Sequence, residues 1–135
     1  MTHVIMGLKG TGKTKKLIDA IQTAVAKDRG DVVCIEYGKK LTYDVTYKVR
    51  LIDGQEHGIT SAEMLKGFLC GLRAGNYDIT DVFIDNLYKI IGSDKAAAEA
   101  FVAWAAKFAA SNELELTITI SEDPENASAE MKQYL

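Results

Sequence analysis

The apolar positions change period several times along the chain, and each change marks an element. His3–Met6 form a short apolar run that stops at Gly7. From Lys13 to Asp28, Leu17, Ile18, Ile21 and Val25 recur at helical spacing, so a helix with one buried stripe is expected, with Gly30 placed to stop it. Asp31–Glu36 (DVVCIE) is a continuous apolar run rich in β-branched residues, which predicts a buried strand. Tyr43, Val45, Tyr47, Val49 and Leu51 then alternate with Asp44, Thr46, Lys48 and Arg50. Period two predicts a strand with one wet face near a sheet edge, closed by the turn residues 53–58.

The second half repeats this grammar. Thr60 and Glu63 read as a capping box ahead of an apolar helical stripe, Met64, Leu65, Phe68, Leu69 and Leu72, that ends at Gly75 and Asn76. Residues 81–85 (DVFID) predict a second buried strand. Ser93 is placed to cap an alanine-rich helix reaching about Ala110, with Phe101, Trp104 and Phe108 facing inward. Residues 114–121 (LELTITIS) predict another strand, and Asp123-Pro124 opens a final short helix. Strands alternating with helices point to a layered α/β fold with a mainly parallel sheet and right-handed crossovers. A chain of 135 residues fits one domain spanning 1–135.

Composition narrows the function classes. Apolar residues make up 47 % of the chain, enough for a packed core. A net charge of −3 supplies no general attraction to nucleic acid. The two cysteines, Cys34 and Cys70, each sit in an apolar run and are expected to be buried and reduced. The opening residues lack the pattern of a signal peptide, and no run reaches transmembrane length. A soluble cytoplasmic protein without a membrane segment is the expectation.

Gly7–Thr14 reads GLKGTGKT and satisfies G-x-x-x-x-G-K-[ST] completely. Glycines let the backbone curl so that its N–H groups point at phosphate oxygens. Lys13 sets a positive charge against the β and γ phosphates, the Thr14 hydroxyl is a magnesium ligand, and the helix that follows adds its positive end. An apolar strand enters this loop and an amphipathic helix leaves it, which is the setting the motif requires. Gly7, Leu8, Lys9, Gly10, Thr11, Gly12, Lys13, Thr14 and Lys15 are therefore the candidate nucleotide-binding segment. Asp85, ending the apolar strand 82–84, is the candidate second magnesium residue with Thr14. Asn86 follows it where many P-loop ATPases carry a glutamate, so Glu36, at the end of DVVCIE, is the candidate base. Lys13, Glu36 and Asp85 form the expected catalytic set. The histidines, His3 and His57, show no metal-site spacing.

The chain resembles a minimal P-loop NTPase, and within that superfamily it is similar to the RecA/KaiC-like branch. There the catalytic glutamate ends the strand after the phosphate-loop helix, where Glu36 stands. Residues 82–87 (VFIDNL) are similar to its Walker B strand, and residues 117–121 (TITIS) to its sensor strand, with Thr119 or Ser121 as the polar residue. The resemblance implies a three-layer P-loop NTPase fold, ATP and Mg2+ as ligands, and a small ATPase that switches a protein partner or its own oligomer. Absence of an N-K-x-D motif favours adenine. The chain departs from the branch in length, lacks glycine-rich DNA-binding loops, and has only Arg29, Arg50 and Arg73 as arginines. Lys9 stands one place after the position where some P-loop ATPases carry a second lysine. A nucleotide-binding regulatory module that scarcely hydrolyses is the competing reading, motivated by Asn86. A small-molecule kinase ranks below both, because no arginine-bearing lid is evident.

Overall fold

A computed structural model describes residues 1–135. Five strands form one sheet: β1 (Thr2–Met6), β2 (Asp31–Glu36), β3 (Val49–Asp53), β4 (Ile79–Ile84) and β5 (Glu115–Ile120). They lie in the order β1-β5-β4-β2-β3, and every neighbouring pair is parallel. Helices α1 (Lys13–Lys27), α2 (Ala62–Gly75), α3 (Leu87–Ile91), α4 (Lys95–Ser111) and α5 (Ala129–Lys132) flank it. None is long and apolar enough to cross a membrane.

The strands explain why helices cover both faces. Side chains alternate across a strand, so an apolar run buries two faces at once. Val32, Cys34 and Phe83 pack with Leu17, Ile21 and Ala24 of α1. Val33, Ile35, Val82, Ile84 and Ile118 pack with Leu65 and Leu69 of α2, Ile90 of α3 and Phe101 of α4. The chain runs from β1 across the sheet to β2 and β3, then returns to β4 and β5. Crossovers of one hand must then place α1 on one face and α2 and α4 on the other, as found.

The structure corrects the sequence reading at several points. The alternating stretch 43–51 is not a strand: residues 41–48 form turns, and only Val49–Asp53 joins the sheet, as its edge strand beside β2. Tyr43 and Tyr47 are 97 % and 92 % exposed, so neither packs on a sheet face. Local bonds win here. Asp44 and Val45 both donate their N–H to the Leu41 carbonyl, while buried Leu41 anchors the turn in the α1 cluster. Ser61, not Thr60, caps α2 by accepting from the Met64 N–H, and Asp94, not Ser93, caps α4 by accepting from the Ala97 N–H. Helix α1 ends at Asp28 in a left-handed conformation. Gly30 serves a close approach instead, since a Cβ there would collide with the Asp78 carbonyl and the Thr80 side chain. Cys34 is buried, but Cys70 is exposed on α2; both are free thiols. The last segment is a 3₁₀ turn, Pro124–Asn126, capped by Asp123 and followed by α5. Phe101 is fully buried, while Trp104 and Phe108 pack against the core from partly exposed positions.

Candidate functional site

Parallel strands present their C-terminal ends along one edge, where ligands of open α/β sheets bind. Here that edge gathers the Gly7–Thr14 loop after β1, Thr119 and Ser121 at the end of β5, Asp85 and Asn86 after β4, and Lys40 after β2. Of the loop, Lys9, Gly10, Gly12, Lys13 and Thr14 line a cleft of about 680 Å³ with Lys40, Asp85, Asn86, Tyr88, Lys89, Ser93, Thr119 and Ser121.

The loop after β1 is a tight turn made possible by glycine. Gly10 and Gly12 take φ of 84° and 85°, a left-handed region that costs other residues energy. Gly7 lies so close to the Thr11 hydroxyl that a Cβ would collide with it. The Thr11 hydroxyl donates to the Leu8 carbonyl at 2.6 Å, and Lys13 Nζ donates to the same oxygen at 3.0 Å. Lys13 is thereby drawn across the loop with further N–H bonds to give. Helix α1 starts at Gly12 without a side-chain cap, so no side chain takes its first-turn N–H groups. Gly7, Leu8 and Thr11 line a shallower depression behind the loop with Asp123 and Pro124. Lys15 is exposed and lines neither.

Strand β5 lies between β1 and β4, and that order brings Thr119 to Asp85. The Thr119 hydroxyl donates to Asp85 Oδ1 at 2.7 Å and accepts from the Asn86 N–H at 2.7 Å. Thr119 is 1 % exposed, so this bond fixes one carboxylate oxygen in a dry setting and leaves Oδ2 for another partner. Asn86 adopts φ of 57° and turns the chain directly into α3, which delivers Tyr88 and Lys89 to the cleft. The Tyr88 hydroxyl donates to Glu122 Oε1 at 2.9 Å, and burial followed by this carboxylate pushes its pKa up to about 12.

The electrostatics are one-sided. Lys9, Lys13, Lys40 and Lys89 face the cleft with Asp85 as its one lining carboxylate. None of these four lysines belongs to an ion pair. The neighbouring Lys40 ammonium, with smaller contributions from burial and Lys9, holds Lys89 below the ordinary lysine range. An acidic chain has concentrated positive charge in one hollow, which is the field an anion needs. Sequence reading missed Lys40 and Lys89 as site residues. The Lys39-Lys40 pair after a strand end was the available signal; Lys89 carried none.

Glu36 is placed differently from Asp85. Its side chain is buried and does not line the cleft. Oε1 accepts from the Lys40 N–H at 3.1 Å and Oε2 from the Leu41 N–H at 3.3 Å. Burial raises its pKa from the ordinary 4.5, against the lowering effect of those two amides, and Asp85 and Asp53 add to the rise. A carboxyl whose pKa rises on folding holds its proton more tightly in the folded chain. Ionising it therefore costs stability as pH climbs from about 4.5 through the raised value. Glu36→Gln removes that dependence. Urea midpoints between pH 4 and pH 8 are expected to fall less with rising pH in the variant than in the wild type, and equal slopes would contradict the assignment.

The arginines stand apart. Arg29 pairs with buried Asp81 at 3.2 Å, Arg73 lies over the Tyr77 ring, and Arg50 is exposed on β3; none lines the cleft. No protein-family model matches this sequence, and no curated protein matches it either, so the residues and their geometry carry the functional argument.

Proposed function

We propose that this protein binds the magnesium complex of a nucleoside triphosphate, ATP by preference, in the cleft at the C-terminal edge of its sheet. The carrying observation is that Lys9, Gly10, Gly12, Lys13 and Thr14 of a complete G-x-x-x-x-G-K-[ST] loop and a strand-end aspartate, far apart in sequence, line one lysine-rich hollow. That arrangement supports the reading of the chain as a P-loop NTPase of the RecA/KaiC-like kind. The N–H groups of Gly10–Lys15 and the Lys13 ammonium would hold the β and γ phosphates.

The magnesium requirement fits the donors. The Thr14 hydroxyl and Asp85 Oδ2 are hard oxygen ligands in the same cleft. Magnesium sites built from one carboxylate, a hydroxyl and phosphate oxygens need no protein-only cage, and none is formed by His, Cys, Asp or Glu here. Held by Thr14 and Asp85, such an ion would supply positive charge to offset that of the phosphates. Thr119 holds Asp85 in the orientation this requires.

The function proposed is that of an ATPase that switches a protein partner or a second copy of itself, with slow turnover by the isolated chain. The geometry favours slow turnover because both oxygens of Glu36, the expected base, are engaged by backbone N–H groups outside the cleft. A partner would then complete the site. A binding-only regulatory module is the second reading, favoured by the same observation. Asp85→Ala tests the magnesium part. Titration of ATP by calorimetry is expected to show magnesium tightening wild-type binding and losing about tenfold or more of that effect in the variant. An unchanged magnesium effect would remove Asp85 from the metal site.

A further inference from the structure

We propose that Lys40 and Lys89 grip the terminal phosphate of the bound triphosphate from the β2–β4 side of the cleft, and that Glu36 is the residue that positions Lys40 there. This rests on the reading of Gly7–Thr14 as a triphosphate site.

The sheet order gives the direction. The phosphate loop follows β1, and β5, β4 and β2 succeed one another beside it. At the usual strand spacing of about 4.8 Å, three steps place the end of β2 roughly 14 Å from the loop. Asp85, at the end of β4, stands between. A triphosphate held by the loop and, through magnesium, by Asp85 would extend its terminal group towards the Asp85 side of the cleft. Lys89 sits four positions after Asp85 on α3, and Lys40 four positions after Glu36; both reach the same cleft.

The fold spends effort on this placement. The loop bearing Lys40 is pinned at three points. Glu36 accepts the N–H groups of Lys40 and Leu41, Asp53 Oδ1 accepts the Gly38 N–H at 2.7 Å, and Leu41 is 1 % exposed within the α1 cluster. Its neighbour Lys39 leans towards Glu56 at 3.8 Å, whereas Lys40 has no acidic partner. Lys40 beside Lys89 holds the Lys89 ammonium below the ordinary lysine range, partly offset by Asp85, and neither lysine has an ion pair within the chain. A phosphate with two negative charges would pair with both. With every arginine elsewhere, these two lysines are the cations available to that phosphate besides Lys9 and Lys13.

The distinguishing property is selectivity for triphosphate over diphosphate. Binding of ADP and of an ATP analogue with a non-hydrolysable β–γ bridge is measured with magnesium for wild type, Lys40→Ala, Lys89→Ala, Glu36→Ala and Glu36→Gln. Both exposed lysine variants are expected to bind the analogue at least tenfold more weakly while ADP binding changes less than threefold. Glu36→Ala is expected to copy Lys40→Ala, with Glu36→Gln recovering part of the selectivity through its one remaining acceptor. Equal losses for both nucleotides, or no loss, in the lysine variants would overturn the phosphate grip. Wild-type selectivity in a folded Glu36→Ala protein would overturn the positioning role. If wild type binds neither nucleotide, the triphosphate reading fails and takes this inference with it; wild-type ADP binding without selective loss sinks the inference alone.

Discussion

Lys13→Ala is expected to weaken ATP binding by at least about 100-fold and to take magnesium-dependent phosphate release down to background. Two losses add to give that size. The variant removes a charge-assisted bond to phosphate worth about 1.5–3 kcal/mol, and it removes the positive charge from the loop's centre. A factor of 100 corresponds to about 2.7 kcal/mol, within reach of one such group. The fold should survive. Lys13 is half-buried, and its Nζ bonds only the Leu8 carbonyl of an exposed loop, so a stability loss of about 1 kcal/mol or less is expected. Matched binding and melting measurements separate the two effects. Wild-type affinity in a folded variant would remove the phosphate loop from the argument, whatever the motif says. Loss of binding with wild-type melting would place the nucleotide at this loop and make Glu36 and Lys40 the next residues to change.

Different parts of this site were legible in the sequence to different degrees, for physical reasons. The loop was readable because everything it needs is contiguous: two glycines at positive φ, a lysine and a threonine within eight residues of one another. Strand β2 was readable because its short apolar run is rich in β-branched residues, which favour a buried strand over a helix. Asp85 could be placed at a strand end, but its bond to Thr119 could not, since it depends on β5 inserting between β1 and β4. Strand order is a global property that no local pattern encodes. Glu36 shows the same limit. Its position at the end of β2 was expected, yet its direction depends on residues 37–41 folding back over it to offer two N–H groups. Residues 43–51 misled because tyrosines on a turn can imitate strand periodicity. Leu41 and Val45, four apart, pack on the α1 cluster, while Tyr43 and Tyr47, in phase with them, face solvent. Lys89 was invisible, and Lys40 showed only as half of the Lys39-Lys40 pair, because an exposed lysine is the default at a surface and bears no periodic mark.

Phe101→Ala is expected to cost about 3–5 kcal/mol, the largest stability effect of any substitution considered for this chain. Phe101 is fully buried on α4, in the cluster that joins that helix to α2, α3 and the sheet. Its ring lies 6.1 Å from that of Trp104, so truncation removes an aromatic pair as well as the packed volume. Collapse into the cavity is restricted. Ala98, Val102 and Ala105 around it on α4 are short or β-branched and already buried, leaving no flexible side chain on that helix to fill the space. A melting temperature lower by on the order of 10 °C is the observable result. The consequence for the cleft is indirect but testable. Helix α4 shares its core with Leu87 and Ile90 of α3, the helix that brings Tyr88 and Lys89 to the cleft. On the proposed function magnesium–ATP would bind the folded chain and not the unfolded one, and so should raise the melting temperatures of variant and wild type alike. A variant that melts early and gains nothing from ATP would mean that Phe101 holds the α3 wall of the site in place as well as the core. One that melts early and is rescued normally would confine its role to packing. A loss under about 1 kcal/mol would contradict the tight packing described for this face of the sheet.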